Sequence, residues 1–150
     1  MTARSKEEEE FRRLSVEMRL LEQTAETLQS RINMVNAAIT DLTYAGMTLE
    51  GVEKEKKNAE LLAPTGGSSY IRVKLANPDK VVVGMGAGVF IEKTLPEAKS
   101  IFKERLDELE KSMRSAQQQF AQIAERINTG RNRLEGLLAK LREGKAPSNV

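Results

Sequence analysis

The sequence predicts an α+β fold: a long antiparallel coiled-coil hairpin of two helices, with two β-hairpins at its centre. Three observations predict it. Apolar residues recur every seven positions, without a slip, on both sides of the chain's middle. The middle itself, residues 61–93, holds short Val- and Ile-rich runs that turn at glycines, which is a hairpin pattern. Charged residues make up 31% and aromatics only 4%, a composition of long helices rather than of a conventional globular core. At 150 residues the chain is sized for a single domain, 1–150.

The first heptad seam starts at Phe11 and runs through Leu14, Met18, Leu21, Ala25, Leu28, Ile32, Val35, Ile39 and Leu42. Alternating steps of three and four residues define a left-handed coiled coil with Phe11 at a and Leu14 at d. At 1.5 Å per residue the helix is about 50 Å long. The four glutamates at 7–10 read first as a solvated helix face, and would also favour a helix N-terminus through the macrodipole. The seam weakens at Gly46, and Glu53 ends it. The charged stretch 51–60 reads as a connector, so that helix and connector together span 11–57.

In the centre, LLAP turns at TGGSS and returns as YIRVKL, and VVV turns at GMGAG and returns as VFIEK. The halves align at an offset of 19 residues, which sets Gly67 on Gly86 and Lys74 on Lys93. Asn77, Pro78, Asp79 and Lys80 make the turn between them. Four short strands need cover on their apolar side, and flanking helices supply only part of it. The segment is therefore expected to pair with strands of other chains. The residues assigned to that contact are Leu61, Leu62, Tyr70, Ile71, Val73, Val81, Val82, Val83, Gly86, Val89, Phe90 and Ile91.

Thr94, followed three residues later by Glu97, is a capping box that starts the second helix, 95–143. Its seam runs through Phe102, Leu106, Leu109, Met113, Ala116, Phe120, Ile123, Ile127, Gly130, Leu134, Leu137 and Leu141. Gly130 occupies a d position, where it is expected to weaken packing and allow bending. The tail, 144–150, reads as disordered. Two matched seams fold back on each other most simply within one chain, which brings both termini to one tip. That tip gathers Phe11 and Leu14 with Leu134, Leu137, Leu138 and Leu141, an apolar cluster that a two-helix coil does not fully bury. Arg12, Arg13, Arg126, Arg131, Arg133, Lys140, Arg142 and Lys145 make it mildly basic.

Enzyme chemistry is not expected. The chain has no His and no Cys, which removes the commonest general base, the thiol nucleophile and most zinc sites. GMGAG lacks a third glycine at Val89 and leads into strand, so it is not a dinucleotide loop. TGGSS has hydroxyls but no base, and its nearest basic residue, Arg72, does not deprotonate. Glu104, Asp107, Glu108 and Glu110 alternate with Lys103, Arg105 and Lys111 as a solvated coiled-coil flank does. No catalytic residue, metal or cofactor is assigned. The net charge of +2 with interleaved signs predicts no nucleic-acid partner, and no apolar run is long enough to predict a membrane one. The N-terminus is not a signal peptide, and the absence of Cys fits the cytoplasm.

The order heptad helix, two glycine-turned hairpins, heptad helix resembles the alpha-type subunits of archaeal prefoldin. LLAPTGGSSYIRVKL is similar to that family's first hairpin, and VVVGMGAGVFIEKTLPEA to its second hairpin and the run into helix two. The family more often has a G-A-G-type turn where TGGSS stands. Two hairpins rather than one point to the alpha type over the beta type. The resemblance implies an ATP-independent holdase. Two alpha-type and four beta-type subunits would join their hairpins into an inter-subunit β-barrel platform. The coiled-coil tips would hold unfolded polypeptides and pass them to a group II chaperonin. The alternative is an alpha-like homologue that assembles with itself, into filaments, as a scaffold or chaperone.

Overall fold

The computed structural model describes residues 2–144; of the tail expected at 144–150, Gly144 is described, in a turn where its amide donates to Lys140 O at 3.1 Å, and 145–150 lie outside the described residues. The elements are α1 (Ala3–Glu53), β1 (Glu60–Gly66), β2 (Ser69–Lys74), β3 (Lys80–Gly86), β4 (Val89–Thr94) and α2 (Leu95–Glu143). The residues fall into two compact units, Met1–Asn36 with Ser112–Val150, and Ala37–Lys111.

The first unit is a pair of antiparallel helix segments. Its α1 portion starts eight residues before the Phe11 heptad. Thr2 caps it, with the Ser5 amide donating to Thr2 Oγ1 at 3.2 Å. The glutamates at 7–10 therefore lie in the second and third turns rather than at the helix start. Register is fixed by a core contact. A Cβ placed on Gly130 would stand 2.3 Å from Met18 Sδ, so the Met18 side chain occupies the space above that glycine. Carried along both helices, this register sets Ala25 across from Ile123 and Ile32 across from Ala116, small against large in each layer. Met18, Leu21, Leu28, Ala116 and Leu137 are buried. Charge pairs follow the same register along both flanks. Glu10 and Arg133, at 2.9 Å, and Glu17 and Arg126, at 3.5 Å, are g-position pairs. Glu22 and Arg131, at 3.6 Å, join e positions on the other side. The space at Gly130 takes the Met18 thioether, which the sequence does not reveal, and a groove of about 390 Å³ lined by Leu14, Met18, Leu21 and Gly130 opens beside it.

The second unit holds the hairpins and the helix segments that flank them. Thr94 caps α2, with the Glu97 amide donating to its Oγ1 at 3.3 Å. The Leu95 amide donates to Asp79 O at 2.9 Å, tying the helix start to the inter-hairpin turn. That turn closes with the Asp79 amide donating to Asn77 Oδ1 at 3.0 Å. The small core is Leu49, Val83 and Ala98, with Val81, Ile101 and Phe102 packed against it. Lys99 and Glu53 form an ion pair beside it. Gly46, unlike Gly130, meets nothing where a side chain would be, and it opens onto a groove of about 370 Å³ lined by Leu42, Met47, Phe102 and Leu106.

The two hairpins are one design used twice. β1 pairs antiparallel with β2 from Glu60↔Lys74 to Gly66↔Ser69, and β3 with β4 from Lys80↔Thr94 to Gly86↔Val89. Each has a register shift just before its last pair, where Thr65 or Met85 is the extra residue of a bulge. Each turns through two residues of positive φ: Gly67 (59°) and Ser68 (60°), then Ala87 (52°) and Gly88 (76°). Two positive-φ central residues make the type I′ geometry, whose twist suits paired strands. These pairings correct the repeat read from sequence. Glu60 corresponds to Lys80 and Tyr70 to Phe90, an offset of 20 residues, so Gly66 (φ 97°) rather than Gly67 matches Gly86 (φ 101°). Gly84, the first glycine of GMGAG, does not have positive φ and serves another purpose. It leaves room for Phe90, whose ring would lie 3.3 Å from a Cβ there.

Candidate assembly face and helical tip

Alternation along the strands sorts the hairpin residues onto two faces. On one face of β3–β4, Val83 packs into the core and is 1% exposed. Its strand neighbour Val82 points the other way and is 68% exposed, and Phe90 on that same face is 69% exposed. The repeat puts Leu62 and Tyr70 at the equivalent positions of β1–β2, at 65% and 62% exposure. Two like surfaces therefore present an aliphatic residue and an aromatic one to solvent. Burying one such side chain is worth about 1.5–3 kcal/mol, so leaving them uncovered is costly unless another surface closes over them.

Of the other residues assigned to strand contacts, Ile71, Val89 and Ile91 are also exposed, whereas Leu61, Val73 and Val81 are half-buried. Gly86 is a turn residue. Val83 is fully taken up by this chain's own core, and Val81 packs against that core.

The hairpins differ in anchorage and in charge. Arg105 Nη2 donates to Gly84 O at 2.9 Å, which fixes the β3–β4 turn region to α2. β1–β2 has no buried residue. Backbone bonds continue its pairing at the base, where the Asn58 amide donates to Leu75 O at 2.7 Å and the Leu75 amide to Ala59 O at 2.9 Å. Equivalent positions carry opposite charge: Glu60 matches Lys80, and Arg72 matches Glu92.

In the first unit, the sequence-assigned tip residues are brought together by the antiparallel register, which sets Phe11 across from Leu137 and Leu14 across from Leu134. Leu137 is fully buried; Phe11, Leu14, Leu134 and Leu141 are half-buried, and Leu138 is 38% exposed. The seam extends beyond Phe11 in a polar form, with Glu7 at d and Arg4 at a. Arg4 Nη1 donates to Gly144 O at 3.0 Å, capping the end of α2, and also pairs with Glu8 at 3.4 Å. Arg133 grips Glu10 through two bonds, Nε to Oε1 at 2.9 Å and Nη2 to Oε2 at 3.1 Å. Arg126, Arg131 and Arg133, three of the eight basic residues assigned to the tip, are each paired to a glutamate. Sequence reading missed Arg4 and Glu7 because the heptad was counted from its first apolar residue; counting backward in sevens finds both. It also missed Val16 and Leu20, which are exposed on the outer side of α1.

Among the described residues there is no cluster of acidic side chains arranged to hold a metal ion. No helix there is long and apolar enough to cross a membrane. Gly86 and Gly88, read from sequence as turn glycines, have positive φ and lie at the β3–β4 turn.

A chain of two heptad helices carrying two β-hairpins with uncovered apolar faces defines a coiled-coil assembly subunit. The family model for the prefoldin subunit matches residues 21–140, and the chain belongs to the prefoldin family, which is a family of chaperones. It is 33% identical over 120 residues to the prefoldin subunit alpha of Methanococcoides burtonii, covering 80% of this chain and 87% of that one. The prefoldin subunit alpha of Methanosarcina mazei is 32% identical over 141 residues, covering 92% and 96%. The fold is also similar to a chain of the filamentous prefoldin of Methanocaldococcus jannaschii, with a TM-score of 0.65 and 23% identity, covering 75% of this chain and 93% of the other.

Proposed function

We propose that this chain is the alpha-type subunit of an ATP-independent holdase in the cytoplasm. The observation that carries the reading is the pair of exposed hairpin faces, Leu62 with Tyr70 and Val82 with Phe90. Neighbouring subunits complete the sheet there, two alpha-type with four beta-type, and the strands close into a shared barrel. The division of labour follows the chain: residues 61–93 assemble, and the two helices serve as an arm whose tip holds unfolded polypeptide. The apolar residues of the tip are Phe11, Leu14, Leu134, Leu137, Leu138 and Leu141, and the client then passes to a group II chaperonin. Several weak tip contacts on one platform hold a client tightly through effective concentration.

Two measurements test this. Native mass of the chain, alone and mixed with a beta-type prefoldin subunit, is expected to change from a small species to a discrete hexamer. Removing the residues before Glu17 and after Leu134 is expected to leave assembly intact and abolish protection of an aggregating client. Equal protection by the truncated chain refutes the tip's role. A second reading, a self-assembling scaffold, is supported by the likeness to a filamentous prefoldin chain. Large homopolymers that ignore the beta-type partner favour it.

A further inference from the structure

We propose that the two hairpin faces recognise each other between copies. The β1–β2 face of one chain covers the β3–β4 face of a second copy, and Arg72 of the one meets Glu92 of the other. The inference rests on the assembly reading above and adds which joint forms and which residues select it.

Residues directly opposite each other in an antiparallel pair share a face. On the exposed face of β1–β2, Leu62 is therefore beside Arg72, with Tyr70 toward the turn. On the exposed face of β3–β4, Val82 is beside Glu92, with Phe90 toward the turn. Each face sets one charge in the middle of its apolar patch, and the two charges are opposite. The base pairs are mixed, Glu60 with Lys74 and Lys80 with Thr94, so the choice falls on the central pair. Among the described residues, neither Arg72 nor Glu92 has a salt bridge or a side-chain hydrogen bond. In the single chain water reaches both, since both are exposed. The cost arises when a neighbouring surface closes over the patch. A charge desolvated without a partner is expensive, whereas an arginine and a carboxylate that meet form two parallel bonds. Covering a face with the same face of another copy encloses two arginines or two glutamates in one contact. Only the unlike contact gives each charge its opposite. The two faces do not satisfy each other within one chain, because Leu62, Tyr70, Val82 and Phe90 all remain mostly exposed. Both faces carry one aliphatic and one aromatic residue, so apolar burial does not choose between like and unlike joints, and the charges do.

Sedimentation of the full chain over a concentration series reads the contact, with circular dichroism checking that each variant stays helical. Arg72→Glu gives a chain with two acidic patches, and Glu92→Arg one with two basic patches. Each alone puts like charges into every joint and is expected to self-associate about tenfold or more weakly than the parent. Mixed in equal parts, the two are expected to associate with each other at the parent's affinity, because every joint between them is complementary again. One chain carrying both changes is expected to self-associate as the parent does. Single reversals that associate like the parent, or a mixture that restores nothing, overturn the pairing. A parent chain that stays monomeric throughout the series overturns the second copy as the occupant. Val82→Asp, run alongside, separates the failures. If it lowers the native mass and the charge reversals do not, only the charge pairing falls; if it too leaves the mass unchanged, the assembly reading falls with it.

Discussion

Gly130→Ala should destabilise the protein although it replaces glycine by the best helix former. On propensity alone the change is worth about 1 kcal/mol in favour of folding. The added methyl, however, lands 2.3 Å from Met18 Sδ and 3.5 and 3.6 Å from Met18 Cγ and Cε. Restoring ordinary contact requires the sulfur to retreat by about 1 Å, and Met18 is only 5% exposed. Overpacking of this kind costs about 1–3 kcal/mol, and the middle of that range, about 2 kcal/mol, suits a thioether that can bend but is enclosed. The net expectation is a loss of about 1 kcal/mol. Gly136, six positions later in the same helix, meets nothing within 4 Å, so Gly136→Ala should gain about 1 kcal/mol. The two variants should therefore differ by about 2 kcal/mol, or roughly 4–8 °C in Tm for a chain of this size. Thermal unfolding followed by helical circular dichroism at one protein concentration reads this directly, since assembly makes Tm concentration-dependent. In a Met18→Ala background the sign at Gly130 should reverse. Equal Tm values for Gly130→Ala and Gly136→Ala, or no reversal, would refute the socket.

Three further outcomes follow from the second unit. Arg105→Ala removes the bond to Gly84 O and should speed amide exchange across the β3–β4 turn several-fold while leaving β1–β2 unchanged, as read by hydrogen exchange. Thr94→Ala removes the α2 cap and should cost about 1 kcal/mol in denaturant unfolding, whereas Thr94→Ser should cost little. Val82→Asp and Phe90→Asp alter side chains that are mostly exposed in the single chain, so helicity should persist while native mass falls to that of the unassembled subunit. An unchanged mass for both would remove the shared sheet from consideration.

The helices were legible because a seven-residue apolar repeat has no other cheap explanation, and the caps Thr94 and Glu97 announce themselves by spacing. The hairpins were legible from glycine between Val- and Ile-rich runs. Their internal alignment was not. TGGSS has two adjacent glycines, and only the backbone distinguishes the bulge glycine, Gly66, from the turn glycine, Gly67. Pro64 corresponding to Gly84 further disguises the repeat. What lay across the seam was hidden for a similar reason. Heptad positions say that Gly130 faces a partner, not that the partner is Met18, so a filled socket reads as a defect. At the tip, Arg4 and Glu7 break the apolar rule that locates a seam, and charged residues in core register are invisible to a hydrophobic count. The exposed Val16 and Leu20 stand off the seam among charges, where a pattern search has no reason to look.

The repeated hairpin has a consequence for growth. In the terms of polymer chemistry, a subunit with two connecting elements is difunctional and a subunit with one is a chain stopper. If each hairpin engages another copy of this chain, as the scaffold reading requires, the chain has no intrinsic end and adds to itself until material runs out. Supplied with one-hairpin partners, the same chemistry terminates at a fixed size. Its two ends are also unlike, because Glu60 and Arg72 on one become Lys80 and Glu92 on the other. The ratio of difunctional to monofunctional subunits then sets particle size, much as a stopper ratio sets degree of polymerisation, without any change in the joint itself.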